Sequence, residues 1–160
     1  MADGIVIDGK AIASQVKEQL KARIDSLASE GKSVRLDAIL VGGDQGAQLY
    51  AKNQAKASQA IGMDYHLHEL PSDATEAEVL ECVALLNSDD TVTGVMVHMP
   101  VPEHIDATRV QSSIAVQKDV EGVNPANIGN VVFGRRSLVP CTALAVMELI
   151  ESTGVKLEGS

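Results

Sequence analysis

Hydrophobic residues follow two different spacings along the chain, and their order predicts an α/β fold. Apolar runs at 34–41 and 92–99 and an alternating run at 65–70 are typical of strands. In the intervening segments, apolar residues recur every three or four positions, as they do on the buried face of a helix. Strands that alternate with helices predict a three-layer α/β domain, with a mostly parallel sheet and helices on both faces.

The ends of the predicted elements are marked by capping residues, glycines and prolines. Thr75 and Glu78 have the spacing of a capping box, and Thr142 is the predicted N-cap of the last helix. In chain order, we predict a strand at Ile5–Ile7, a helix from Asp8 to about Ala28, a strand at Val34–Val41, a helix from about Gly46 to Gly62, a strand at Tyr65–Leu70, a helix after Thr75, a strand at Val92–Met99, a short helix near Asp106–Ser112, a loop-rich stretch at Lys118–Asn130 and a helix after Thr142.

Two of these helices have predicted apolar faces. The first should bury one stripe of side chains, since its large apolar residues lie three or four positions apart. That stripe consists of Ile12, Val16, Leu20, Ile24 and Leu27. The apolar side of the second predicted helix consists of Leu49, Ala57, Ala60 and Ile61.

Composition narrows the range of functions. The 160 residues, 45% of them hydrophobic, suit one domain with an ordinary core. A net charge of −9 and an aromatic content of only 2% argue against nucleic acid and anionic membranes as partners. No leader sequence or membrane-length apolar run is evident, and the distant Cys82 and Cys141 have no metal-ligand spacing. We therefore expect a cytoplasmic protein without a metal site.

A ligand site in such a fold is expected where the strands end. The candidate strand ends are Gly42–Asp44, Pro71 and His98–Pro102. The glycines could cradle a phosphate, but neither dinucleotide nor P-loop spacing is present, and a tight turn is the better interpretation. His98 is a candidate acid or base because it stands at the end of a buried strand.

The helix after the glycines carries further polar candidates. Tyr50 and Gln54 are four residues apart and share one helix face. Lys52 and Lys56 share another face, and two like charges there favour a solvated surface. Glu121 lies in a short acidic loop, where a carboxylate could accept N–H groups from a ring.

Taken in order, these segments resemble one family, the methylenetetrahydrofolate dehydrogenases/cyclohydrolases. The resemblance covers nearly the whole chain. It rests on the segments Ile7–Ala13, Val41–Tyr50, Lys56–Ala57, Gly62, Gly94–Pro102, Lys118–Gly122, Pro140–Thr142, Glu148–Ile150 and Gly154.

The resemblance implies folate one-carbon metabolism. Members of the family oxidise 5,10-methylenetetrahydrofolate with NADP or NAD and hydrolyse the methenyl product to 10-formyltetrahydrofolate. Residues 1–160 correspond to the first, folate-binding catalytic domain, and the Rossmann domain that holds the cofactor lies outside this chain. We therefore expect reduced folate as the ligand, no cofactor bound by this chain itself, and either a homodimer or pairing with a cofactor domain.

The resemblance also implies the site residues, with substitutions. Tyr50 matches the tyrosine whose ring lies against the folate, whereas Gln54 replaces the catalytic lysine and His98 replaces a glutamine that pairs with it. Glu121 replaces the aspartate that binds the pterin. Three further predicted substrate-binding residues are Pro100, Val101 and Pro140.

The missing lysine leaves three functions open. Lys52 and Lys56 do not substitute for it, because two residues turn a helix by about 200° and point both away from Tyr50. The site could be a rewired enzyme in which His98 moves the proton, since its reference pKa is about 6.5. It could instead bind or sense folate without catalysis, or keep the fold for assembly only.

Overall fold

A parallel sheet of three strands forms the centre of the protein in a computed structural model that describes residue 4, residues 6–135 and residues 137–159. The strands are β1 at Arg35–Val41, β2 at Asp64–Leu70 and β3 at Gly94–Val97. Their order in the sheet is β2-β1-β3, with every pairing parallel. The predicted parallel α/β sheet is therefore confirmed, with β1 at its centre.

Six helices surround the strands in the described residues. They are α1 at Gly9–Ser29, α2 at Gln45–Ala60, α3 at Glu76–Ser88, α4 at Ala107–Ser113, α5 at Pro125–Val132 and α6 at Cys141–Glu151.

The core lies on both faces of β1, which is buried from Leu36 to Val41. On one face, Ile39 and Val41 pack against α3 and α4 together with apolar residues of β3. On the other face, Leu36, Ala38 and Met96 form a smaller cluster on the side of α2. Burial on both faces explains why β1 is a continuous apolar run rather than an alternating one.

Several predicted caps are confirmed. Asp8 accepts hydrogen bonds from the first turn of α1, and Thr75 and Glu78 form the reciprocal capping box of α3. Thr142 was the wrong choice for α6, because the N-cap position is occupied by Pro140 and Thr142 already lies inside the helix. No side chain caps that end.

The stripe predicted on α1 is only partly buried, and the apolar side predicted for α2 is wrong at Leu49. None of the described α1 residues is buried, and Val16 and Leu20 are 40% and 39% exposed because their side chains border an open groove facing α6. In α2 the buried positions are the small residues Ala47, Ala51 and Ser58, whereas Leu49 is 61% exposed. Close packing of α2 on the sheet selects small side chains, and a pattern of large apolar residues does not show this.

Two further predictions differ from the structure. Val6 and Ile7, which belong to the short strand predicted at 5–7, have no strand pairing, and Ile5 lies outside the described residues. The stretch predicted to be loop contains α5, which begins at Pro125 behind the N-cap Asn124. Proline in the first turn and an asparagine cap are standard helix-start signals, and they were overlooked.

A buried ion-pair network joins β1 to its neighbours. The carboxylate of Asp37 is fully buried, and it accepts hydrogen bonds from Nε and Nη2 of Arg35 at 2.7 and 2.9 Å. His68 of β2 contacts the same carboxylate at 2.6 Å. Burial opposes ionisation of Asp37, but the hydrogen bonds from Arg35 and His68 outweigh it and lower the pKa of this group.

Two features are absent from the described part of the chain. No helix there is both long and apolar enough to cross a bilayer. No group of three or more His, Cys, Asp or Glu side chains is arranged there to hold a metal ion. Cys82 is half-buried against the core, Cys141 is exposed, and both are free thiols.

Candidate active site

A cavity of about 310 Å³ opens at the carboxyl end of the sheet. Its walls come from the first turns of α2, from the end of β3 with the residues that follow, and from the loop before α5. This is the edge at which parallel α/β folds bind ligands. The lining residues are Gly46, Ala47, Tyr50, Met96, Val97, His98, Met99 and Glu121.

The turn between β1 and α2 places Tyr50 on this cavity. Gly42 adopts a left-handed conformation with φ of 80°, and the carboxylate of Asp44 accepts a hydrogen bond from the N–H of Ala47 at 2.8 Å. The tight turn predicted here is thus confirmed, and an acidic side chain caps the N-terminus of α2. Tyr50, one turn further on, remains 61% exposed, so its ring is open to a ligand.

His98 lies beside Tyr50 and is almost fully buried. Its backbone N–H continues the sheet by donating to the carbonyl of Ile39 at 2.8 Å. The two rings meet edge to face, with their centroids 5.8 Å apart and their planes at 74°. Burial lowers the pKa of His98, because it disfavours the charged imidazolium. The ring is therefore neutral at physiological pH.

Tyr65 of β2 is the hydrogen-bonding partner of His98. Its hydroxyl oxygen lies 3.2 Å from Nε2 of the imidazole. Burial raises the pKa of Tyr65 to about 12, so the phenol stays protonated at physiological pH. Sequence reasoning missed this residue. Its place depends on the sheet register, in which Tyr65 pairs with Leu36 and shares the α2 face with Met96.

Glu121 brings a carboxyl group to the same cavity. Burial raises its pKa; a backbone hydrogen bond from Val97 opposes this effect, and the nearby charge of Asp119 adds to it. Its Oε2 atom is buried and has no hydrogen-bond partner among the described residues. A buried acceptor without a partner is costly unless a ligand or water completes it.

The loop that carries Glu121 is held by its neighbours. Asp119 is fully buried, and its Oδ2 accepts hydrogen bonds from the N–H of Asn124 at 2.8 Å and from Nδ2 of Asn127 at 2.9 Å. Asn124 in turn caps α5. Nζ of Lys118 donates to three backbone carbonyls at the C-terminal end of α3, at distances of 2.7 to 3.0 Å. The loop is therefore fixed on both sides of the carboxyl group.

Gly122 allows the Glu121 loop to pack closely against the segment before α6. Its φ is 66°, and a Cβ atom at this position would lie 2.6 Å from the backbone nitrogen of Pro140. The carbonyl of Glu121 also accepts a hydrogen bond from the N–H of Cys141. Pro140 thus touches the Glu121 loop from the far end of the sequence, and only glycine fits between them.

Gln54 reaches the cavity wall indirectly. Its Nε2 lies 3.0 Å from the sulfur of Met96, which lines the cavity, and its Oε1 is buried without a partner in the described chain. Lys52 and Lys56 are exposed, as predicted. The only ionisable side chains among the lining residues are therefore Tyr50, His98 and Glu121.

The other predicted substrate-binding residues are not among the lining residues. Pro100 is exposed and follows a cis peptide bond, whereas Val101 is partly buried and packs against the core cluster around α3. Pro140 contacts the Glu121 loop as described above. The role of these three in substrate binding stays a prediction.

Known proteins are similar to this chain over most of its length. Residues 7–121 match the family model of the tetrahydrofolate dehydrogenase/cyclohydrolase catalytic domain. The bifunctional protein FolD of Listeria innocua is 40% identical over 156 residues, which cover 98% of this chain and 55% of that protein. FolD of Heliobacterium modesticaldum is 42% identical over 153 residues, which cover 96% of this chain and 53% of that protein. The chain thus spans about half the length of these relatives.

Solved structures agree. The bifunctional enzyme FolD of Campylobacter jejuni superposes with a TM-score of 0.95 at 38% identity, over 97% of this chain and 55% of that one. The Trypanosoma brucei enzyme, solved with NADP cofactor and an inhibitor, gives a TM-score of 0.92 at 32% identity, over 99% of this chain and 55% of that one. With a matched family model, relatives above 30% identity and a shared fold, this chain belongs to the tetrahydrofolate dehydrogenase/cyclohydrolase family.

Proposed function

We propose that the cavity at the carboxyl edge of the sheet binds a reduced folate. One observation carries the proposal: two acceptor oxygens, Oε2 of Glu121 and Oε1 of Gln54, are buried at or beside the cavity without partners. A reduced pterin offers several N–H donors to such acceptors, and its flat ring suits the open face of Tyr50. Each acceptor that a ligand completes removes a desolvation penalty of about 1–3 kcal/mol.

We further propose that the chain acts in one-carbon metabolism, with His98 as the residue that moves a proton. In hydrolysis of a 5,10-methenyl bridge, water attacks the bridge carbon and gives one proton to the neutral imidazole. The bond from that carbon to N5 then breaks, and N5 takes the proton back from His98. The hydroxyl group on the carbon loses its remaining proton to solvent and becomes the formyl carbonyl. The lowered pKa of His98 keeps the imidazole ready to accept the first proton.

We propose that this chain does not itself hold the nicotinamide cofactor. A dinucleotide needs free backbone N–H groups at a helix N-terminus for its pyrophosphate. Here side chains cap α1 to α5, and the uncapped N-terminus of α6 gives the N–H of Cys141 to the carbonyl of Glu121. Asp8, Asp44 and Asp106 would repel a phosphate at the helix ends that they cap. We derive no hydride step from this chain and assign the use of NADP or NAD to a cofactor domain supplied in the whole protein.

Location and partners complete the proposal. Two free thiols, Cys82 and Cys141, fit a reducing cytoplasm. Reduced folate is the proposed small-molecule partner, and either a second copy or a cofactor domain is the proposed protein partner. Gel filtration with light scattering on the 160-residue chain tests the second copy: twice the mass of 16.8 kDa supports a homodimer, and a mass of 16.8 kDa refutes it.

Calorimetric titration with tetrahydrofolate tests the binding proposal. We expect binding by the 160-residue chain, and weaker binding by Tyr50→Ala, which removes the aromatic face. The matched control is Leu49→Ala, the neighbouring α2 residue, whose side chain is equally exposed and lies outside the cavity wall. Absence of binding by the wild-type chain, with no heat change at millimolar folate, would refute the proposal.

A second candidate is folate binding without turnover, and the environment of Gln54 favours it. The amide cannot exchange a proton, its Nε2 is engaged with Met96, and no amine lines the cavity. Hydrolysis of methenyltetrahydrofolate distinguishes the two functions: loss of turnover in His98→Gln supports His98 as the proton carrier. If wild type binds folate without turnover but Gln54→Lys hydrolyses the bridge, the site binds folate and lacks only the amine.

A further inference from the structure

Tyr65 is not among the residues that line the cavity, and its contact with His98 is not explained by ligand binding. Tyr65 belongs to β2, whereas the cavity wall is built from α2, β3 and the loops beside them. Its ring packs on the small core cluster with Leu36, and its hydroxyl oxygen lies 3.2 Å from Nε2 of His98. It is the only side chain that forms a hydrogen bond to this imidazole within the described residues.

We propose that Tyr65 is a positioning residue: its hydroxyl oxygen accepts the Nε2–H of His98, which leaves the lone pair on Nδ1 as the basic site. A neutral imidazole carries one N–H and one lone pair, so the partner of one nitrogen decides the function of the other. For catalysis the inference rests on the proposed function, whereas the tautomer itself does not depend on folate. A hydrogen bond that fixes a histidine tautomer also stabilises the imidazolium formed when the base takes its proton.

The distance fits this direction of the hydrogen bond. A separation of 3.2 Å lies within the range of about 2.7–3.2 Å for an N–H that donates to oxygen. The phenol is also a suitable acceptor in both states of His98. Its pKa of about 12 keeps it uncharged, so it does not compete with the imidazole for protons at neutral pH.

Few other ionisable groups face His98. Tyr50 approaches from α2 through its ring, Tyr65 from β2 through its hydroxyl, and Glu121 from the loop across the cavity. Burial is the cause of the lowered His98 pKa, and no charged partner contributes to it. Removing the Tyr65 hydroxyl therefore takes away the hydrogen bond to Nε2 and leaves the desolvation of the imidazole in place.

Nitrogen NMR of the histidine side chains tests the tautomer in the folded 160-residue chain without folate. We expect His98, identified by the loss of its signals in His98→Gln, to show Nε2 protonated and Nδ1 unprotonated. In Tyr65→Phe, which keeps the ring, we expect a mixture of tautomers and a further fall in the His98 pKa. Tyr50→Phe is the matched control, because it removes a hydroxyl that forms no hydrogen bond to His98, and it should leave the signals unchanged.

The opposite result is equally clear. If wild-type His98 carries its proton on Nδ1, or if Tyr65→Phe raises the His98 pKa, the hydroxyl donates to the ring and the proposal is wrong. The wild-type measurement alone decides this point, so it holds even where the variant is unstable.

Turnover gives a separate readout. In methenyltetrahydrofolate hydrolysis, Tyr65→Phe should lower kcat roughly tenfold while KM changes less than about twofold, because the tyrosine acts on the base and not on the substrate. A change in KM with kcat intact would contradict a positioning role. Absence of wild-type turnover would count against the proposed function, while the nitrogen spectra would still decide the role of Tyr65.

Discussion

Asp37 in β1 and Glu121 in the loop at the edge of the sheet are two acidic residues that differ in what surrounds them. Asp37 is fully buried, and both its oxygens are bonded, to Arg35 and to His68. Glu121 lines the cavity with one oxygen that has no partner in the described residues. The pKa shifts follow this contrast: that of Asp37 is lowered by its partners, and that of Glu121 is raised by burial.

The difference separates a structural acid from a candidate functional one. Burial penalises a charge in both places, but the protein's own hydrogen bonds outweigh the penalty at Asp37, whereas the backbone hydrogen bond from Val97 does not outweigh it at Glu121. At Glu121 the rest of the compensation is left to something that enters the cavity. A buried polar atom without a partner is thus a more specific indication of a ligand site than either burial or acidity.

The largest expected effect is on the stability of the structural acid. Asp37→Asn should lower the free energy of unfolding by about 3 kcal/mol, because it leaves Arg35 without its buried partner. Denaturant unfolding followed by circular dichroism measures this. Asp25→Asn is the control, since its pair with Lys21 is exposed and should contribute less than about 1 kcal/mol. Equal effects of the two changes would remove the distinction drawn here.

A smaller effect, on affinity, is expected at the candidate functional acid. Glu121→Gln should weaken tetrahydrofolate binding about tenfold, or about 1.4 kcal/mol, because one carboxylate oxygen is replaced by an N–H donor. The free energy of unfolding of this variant should not fall, because the substitution removes a carboxyl group whose ionisation is opposed by burial. The control Glu69→Gln alters an exposed carboxylate at the end of β2. Unchanged affinity in the Glu121 variant, measured by calorimetry, would place the ligand elsewhere.

The smallest expected effect is on the pH dependence of stability, and its sign differs between the two acids. The lowered pKa of Asp37 means that its contribution is present above the unfolded pKa and lost as pH falls through the folded value. The raised pKa of Glu121 means that the folded state gains stability as pH falls through that raised value. Unfolding midpoints measured from pH 3 to 7 check both signs. Glu121→Gln should lose the gain in stability at low pH, and Asp37→Asn should lose the fall in stability at low pH. The same change in both variants would contradict the assignment.

Much of the fold could be predicted from the sequence because local signals and long-range packing agree. The strands, the capping box at Thr75 and the length of α1 follow from spacing alone. The failures occur where tertiary contacts decide. The partly exposed stripe of α1 and the buried small residues of α2, such as Ala51, reflect which neighbours are present, and periodicity carries no such information.

The candidate site was predicted in part for the same reason. Tyr50, His98 and Glu121 stand where strands end or helices begin, so the topology of a parallel sheet brings them to one edge. Tyr65 was missed because its contact with His98 depends on strand order, with β1 between the two outer strands. Nothing in the local sequence around Tyr65 distinguishes it from an ordinary strand residue.

Gly122 shows how little freedom some positions have to change during evolution. The peptide group that joins Val139 to Pro140 occupies the space that a methyl group at Gly122 would need, so even alanine would force the two segments apart. Glu121 would move with its loop, and the first turn of α6 would move with Pro140. A lineage that altered this one residue would have to rebuild both ends of the contact together, which makes stepwise drift at Gly122 unfavourable.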